Sequence, residues 1–192
     1  MNRRKLLAGG TSAAALSLLT TMGCTTTGTN SGDPAARRNS IDAGADSALL
    51  RLYEQATGSR ELVSSAQGVL VFPAVVSAGL VVGGTHGSGA LRKAGRTSGY
   101  FSMTAASFGL LAGAQSKSVF ILFMTQEALG RFEGSNGWTA GVDGSVALIS
   151  VGANTGVNTR DVQQAIIGFV LTNAGFMADF SMNGTRIGRL NL

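Results

Sequence analysis

The chain has one cysteine, one histidine, one tryptophan and two prolines in 192 residues. A lone thiol excludes an internal disulfide, and without a second Cys or His ligand a zinc site has nothing to close on. His86 likewise has no suitable partner for a serine triad, and it reads as a turn or rim histidine in a glycine-rich stretch. Charged residues are only 13% of the chain, 15 basic against 10 acidic. Three of the basic ones crowd into the first five positions, so the remainder is only weakly basic and does not carry a nucleic-acid-binding balance. Beyond the extreme N-terminus no segment reaches the roughly 18 apolar residues that a spanning helix needs.

What is present begins with that N-terminus. Arg3, Arg4 and Lys5 precede an uncharged apolar stretch from Leu6 to Met22, and Gly23 stands directly before Cys24. A charged start followed by a short apolar run and a small residue is the order of a secretory signal, here residues 1–23, rather than of a membrane span. Thr21-Met22-Gly23-Cys24 resembles a bacterial lipobox, departing from it at Thr21, where leucine is commoner. The resemblance implies cleavage before Cys24 and its acylation, in preference to simple secretion with a buried free thiol. Asn2-Arg3-Arg4-Lys5-Leu6-Leu7 also suits a twin-arginine export signal as well as the general route. Thr25 stands where an aspartate would signal inner-membrane retention, which points to the outer membrane, facing the periplasm.

Residues 24–40 read as a lipidated flexible tether, because their Thr, Gly, Asn, Ser and Arg content could not offset the entropy of ordering. A random coil of that length reaches about 20–24 Å. One domain over residues 41–192 follows. Ile41, Ala45, Ala48, Leu49, Leu52, Tyr53 and Ala56 form a single apolar stripe at helical spacing, a core face in preference to a membrane-surface one. Gly58 supplies a stop, and Ser59 starts a short second helix through Ala66.

After Gly68 the period changes. Val69–Phe72 is a short apolar run ended by Pro73, followed by strand candidates at Ala78–Val82, Ser88–Arg92, Gly99–Ala105, Phe108–Ala112 and Ser118–Met124. Trp138–Val142, Val146–Gly152, Ala165–Thr172, Phe176–Met182 and Thr185–Leu190 continue the series. Asn183-Gly184 between the last two is the strongest hairpin signal. Glycine, at 28 residues, is about twice its usual abundance and suits tight bends in a curved sheet. One helix interrupts the strands, with Thr125 as N-cap, Leu129 and Phe132 facing inward and Gly134 at its end. Phe120-Ile121-Leu122-Phe123, apolar on both faces, should be a doubly buried central strand. The fold class is therefore α+β: N-terminal helices packed on a Gly-rich, mainly antiparallel β-barrel or sandwich with one inserted helix.

The search for chemistry returns no catalytic set and no metal set. Gly113-Ala114-Gln115-Ser116-Lys117-Ser118 lacks a glycine directly before Lys117, and a strand follows where a phosphate loop requires a helix. Asp143, Asp161 and Asp179 read as turn and cap residues. Arg92, Lys93 and Arg96 form the one local basic cluster, in a turn expected over 92–98. With Lys117 they are candidate contacts to anionic lipid head groups.

Gly68-Val69-Leu70-Val71-Phe72-Pro73 and Ala78-Gly79-Leu80-Val81-Val82-Gly83-Gly84 resemble the opening of the SYLF domain. The blocks at Gly113–Val119, Phe123–Leu129, Trp138–Asp143 and Thr172–Asp179 extend the resemblance over roughly 41–192, and the chain looks like the bacterial lipoprotein branch. It implies a non-enzymatic domain that binds membrane phospholipids, with no cofactor. Phosphoinositide and actin binding belong to eukaryotic members of the family. Actin binding is not carried over, since an envelope lipoprotein does not meet actin in its own cell. The expected protein is a lipid-anchored bacterial envelope protein that binds phospholipid, preferably anionic. The alternative is a structural protein docking an envelope partner, with lipid serving only as a tether.

Overall fold

A computed structural model describes residues 33–79, 82–108, 115–149, 163–172 and 181–192. Helix α1 (Pro34–Gln55) opens on Asp33, whose carboxylate accepts the Ala35 N–H at 2.9 Å, with Pro34 in the first turn. That pairing satisfies one of the orphan amides of a helix start and presets φ for the first turn. Residues 34–40, assigned to the tether on composition, are therefore helical. The predicted stripe is the buried face: Ile41, Ala45, Ala48 and Leu52 are buried, as is Ala56 at the end. Helix α2 (Ser59–Ser65) follows after Gly58, and its Ser59 hydroxyl donates to the Leu52 carbonyl.

Among the described residues eight strands form one sheet: β1 (Gly68–Gly79), β2 (Val82–Lys93), β3 (Arg96–Phe108), β4 (Gln115–Phe123), β5 (Trp138–Thr139), β6 (Ala147–Ile149), β7 (Ile166–Thr172) and β8 (Arg186–Leu190). Their spatial order is β5-β8-β3-β2-β1-β4-β7-β6. The pairings among these eight strands are antiparallel except that of β6 with β7. The sheet curls into a half-barrel, and helix α3 (Gln126–Gly134) is inserted after β4. Thr125 caps α3 as expected, accepting the Ala128 N–H at 3.2 Å.

Alternation along the strands assigns each side chain to one of two cores. On β4, Val119, Ile121 and Phe123 join the core under α3, while Phe120 and Leu122 join the core under α1 and α2. All five are fully buried, as a doubly covered strand requires. Both cores are built from Ser31–Leu192, which forms one compact unit.

Pro73 does not end the first strand. Val71 pairs with Ala90 and Ala74 with Ser88, so Phe72 and Pro73 together oppose Gly89 on β2. Across the other edge Phe72 pairs with Val119 and Val75 with Lys117, so Pro73 and Ala74 oppose Ser118. A bulge absorbs the proline, which has no N–H to give the ladder, and β1 continues to Gly79. Of the candidate at Ala78–Val82, Ala78 and Gly79 end β1 and Val82 opens β2, with Leu80 and Val81 outside the described residues, and the candidate at Ser88–Arg92 lies within the long β2.

The expected turn over 92–98 is tighter. Lys93 pairs with Arg96, and Ala94 and Gly95 both have positive φ (48° and 77°), the geometry of a two-residue type I′ loop. The Asn183-Gly184 turn is closed by the Thr185 N–H donating to the Met182 carbonyl. It feeds β8, whose two edges are taken by β3 and β5. The strand expected at Phe176–Met182 lies mostly outside the described residues, as do Gly109–Ala112 of the strand expected at Phe108–Ala112.

Candidate functional site

The four cations singled out in the sequence do not converge. Arg92 and Lys93 are neighbours on β2 and so leave opposite faces of the sheet. Arg92 reaches α1, donating to the Asp46 carboxylate at 2.7 Å and to the Asp42 carbonyl at 3.1 Å. Asp42 also accepts from the Thr97 hydroxyl (2.7 Å) and the Tyr100 hydroxyl (2.8 Å), which locks α1 to the β2–β3 hairpin. Burial, and secondarily the bond to Asp42, push the Tyr100 hydroxyl above its ordinary pKa. Lys93 reaches α3 instead, donating to both oxygens of Glu133 at 3.0 and 3.1 Å. Arg96 stands exposed beyond the Ala94-Gly95 loop.

Lys117 is elsewhere. Arg92 pairs with Val69 of β1, whereas Lys117 pairs with Val75, about 20 Å further along the strand. Its register with Val75, and its alternation with Val119, place it on the inner face of the sheet. Burial there pushes its ammonium below the usual lysine value.

Two surface grooves flank α1. One, about 440 Å³, is lined by Tyr53, Val63, Val69 and the Asp46–Arg92 pair. Its cation is already neutralised by a carboxylate 2.7 Å away. The other, about 550 Å³, lies where α1 passes over the β1 bulge, and it is lined by Gly44, Ser47, Leu50, Arg51, Pro73, Ala74 and residues 116–118. No carboxylate among the described residues lines it.

The bulge builds this second groove. It frees the Pro73 carbonyl from the ladder, and the buried Ser118 hydroxyl donates to it at 2.7 Å. With its proton committed, the Ser118 oxygen accepts from Arg51 Nη2 at 3.0 Å. A Cβ at Gly44 would stand 3.0 Å from Pro73 Cγ, so a side chain there would lift α1 off the bulge. Charge composition gave no sign of Arg51, because Ser118, which holds it, is 67 positions away in sequence.

His86 is exposed on β2, on a strand rather than in a turn, and no cluster of metal-binding side chains occurs among the described residues. Asp143 accepts the Thr139 N–H at 2.6 Å, the expected turn role. Asp161 and Asp179 lie outside the described residues.

The described residues thus form a helix-backed, mainly antiparallel curled sheet with a groove between α1 and the β1 bulge that holds Arg51. Residues 104–190, from the end of β3 through β8, match the family model described as Ysc84, Las17-binding protein actin regulator. That stretch is similar to the Ysc84/SYLF family, whose members bind lipids and, in eukaryotes, actin. The Gly68–Pro73 and Ala78–Gly84 blocks of the resemblance lie outside the matched stretch. Among curated protein sequences, none matches the chain.

Proposed function

We propose that the chain is a non-enzymatic phospholipid-binding protein, tethered through an acylated Cys24 to the bacterial envelope at the periplasmic face of the outer membrane. The Ysc84/SYLF match over residues 104–190 carries the lipid-binding part of this reading. The anchor rests on the order of positive start, apolar stretch, Gly23 and Cys24. One acyl chain holds a protein only marginally, whereas two or more give stable attachment at about 0.8 kcal/mol per buried methylene. The folded domain then needs only modest affinity, because the tether keeps it near the bilayer.

The domain from Ser31 to Leu192, freed of leader and anchor, should float with phosphatidylglycerol vesicles at low ionic strength. It should release as salt shortens the screening length to about 8–10 Å. Absence of flotation at low salt would overturn lipid binding by the domain and favour the reading of a tethered partner-binding protein. The anchor is tested separately on the whole chain. Fatty-acid label should enter the wild type and be lost in Cys24→Ser, and persistence of label in that variant would remove Cys24 from the account.

A further inference from the structure

We propose that the groove between α1 and the β1 bulge is the phosphate-recognition site, with Arg51 as the phosphate ligand and Leu50 and Val76 meeting the apolar part of the same lipid. This rests on the phospholipid-binding reading and gives it an address. Neither the leader nor the basic hairpin belongs to it.

Four observations on different elements support it. First, Arg51 is held in place by a relay rather than by a counter-ion. The Pro73 carbonyl takes the Ser118 proton, and Ser118 takes one N–H of Arg51. A guanidinium has five N–H donors in a planar fork, so most of its hydrogen-bonding capacity is left for an anion. Second, among the described residues the groove lining has no carboxylate to compete with a phosphate, unlike the surroundings of Arg92 and Lys93. Third, Ser116 is exposed in the groove wall, and its hydroxyl has no hydrogen-bond partner among the described residues. Fourth, large apolar side chains are exposed here. Leu50 is 59% exposed in the lining, and Val76, directly across from Ser116 in the β1–β4 register, is 46% exposed. Among the described residues only Val142 joins them as an exposed large apolar side chain.

A soluble phosphate needs the cation and the hydroxyl but gains nothing from exposed leucine and valine. A phospholipid at a bilayer surface offers a phosphate beside glycerol and acyl carbon, which uses both halves of the groove. The apolar rim therefore favours the lipid over a free phosphate ester.

The test uses Ser31–Leu192, which contains both hydrophobic cores. Flotation on phosphatidylglycerol vesicles is measured for the wild type and for Arg51→Gln, Arg51→Lys, Leu50→Ser and Arg96→Gln. The amide spectrum is titrated with glycerol phosphate in parallel, and melting temperatures verify folding. Arg51→Gln should weaken vesicle binding about tenfold or more, as loss of a charge-assisted contact does. Arg51→Lys should recover part of the binding, and Arg96→Gln should match the wild type. Leu50→Ser should weaken vesicle binding while leaving the glycerol phosphate shifts at Ser116 and Ser118 intact.

If the wild type ignores vesicles but glycerol phosphate shifts those amides through Arg51, the phosphate site stands and the phospholipid reading fails. If vesicles bind the wild type and Arg51→Gln equally, the site is overturned while lipid binding survives. If neither probe acts on the wild type, both are overturned. A drop in the melting temperature of Arg51→Gln transfers the decision to Arg51→Lys, which keeps the charge on Ser118. Binding by that variant no better than by Arg51→Gln would also count against the site.

Discussion

Gly89→Val should be among the most damaging single changes in the domain, costing about 3 kcal/mol or more. Gly89 faces the two residues of the β1 bulge. A Cβ there would run into the Val71 carbonyl oxygen and come within 2.6 Å of Phe72 Cδ1. The first obstacle is backbone and the second a fully buried ring, so neither can swing aside. Gly84 lies on the same strand with nothing within 4 Å of its would-be Cβ, and Gly84→Ala should be neutral within about 0.5 kcal/mol. Thermal unfolding of the pair decides the matter. For a domain of this size the Gly89 variant should melt roughly 6–12 °C lower. Equal melting of the two variants would show that the bulge yields where the register says it cannot.

Phe132→Ala should cost about 3–5 kcal/mol. Phe132 is the point at which α3 enters the inner core. Its ring centroid lies 4.9 Å from Phe101, 4.8 Å from Phe123 and 5.9 Å from Trp138, in tilted and edge-on contacts. Removing the ring leaves three aromatic faces around a void, with Leu129 and Ala128 as the apolar ties that still hold α3 to this core. The remaining ties of α3 include the half-exposed Lys93–Glu133 pair, and pairs of that kind contribute about 0–1 kcal/mol. Near-ultraviolet dichroism reads the loss directly, because Trp138 is fully buried against this ring. Phe132→Leu, which keeps part of the volume, should cost less and retain the Trp138 signal. If the alanine variant kept both the signal and the wild-type denaturation midpoint, α3 would owe its place to something other than this ring.

These two residues also mark how far local sequence reaches. Phe132 was legible: a capping Thr125 and apolar residues at helical spacing announce both the helix and its inward face. So was the Phe120–Phe123 strand, since four apolar residues in a row can only satisfy a strand covered on both sides. The Asp33-Pro34 start of α1 was visible in principle, but the polar composition around it points toward a tether. The bulge was not legible. Proline reads as a terminator to any local rule, and the groups that accommodate Pro73 are Gly89 on one neighbouring strand and Ser118 on the other. The same distance effect governs the cations. A count of charges gives weight to Arg92, Lys93 and Arg96 because they are close in sequence. The fold engages Arg92 with Asp42 and Asp46, and Lys93 with Glu133, carboxylates some 40–50 positions away. Arg51, isolated in the sequence, faces a groove that holds no acid among the described residues.

The strand order has a consequence for where this domain begins and ends. The family match starts at residue 104, inside β3, and runs to residue 190. Its strands do not lie side by side. β4, β7 and β6 continue the sheet beyond β1, whereas β8 and β5 continue it beyond β3. The meander of β1, β2 and most of β3 stands between the two groups and bridges them. Cut at the boundary of the match, the described strands would be left as two separate ribbons, each with an unpaired edge where the meander had been. The segment that a family comparison recognises is thus not a unit of folding, and only the longer chain that supplies the middle strands can hold it together.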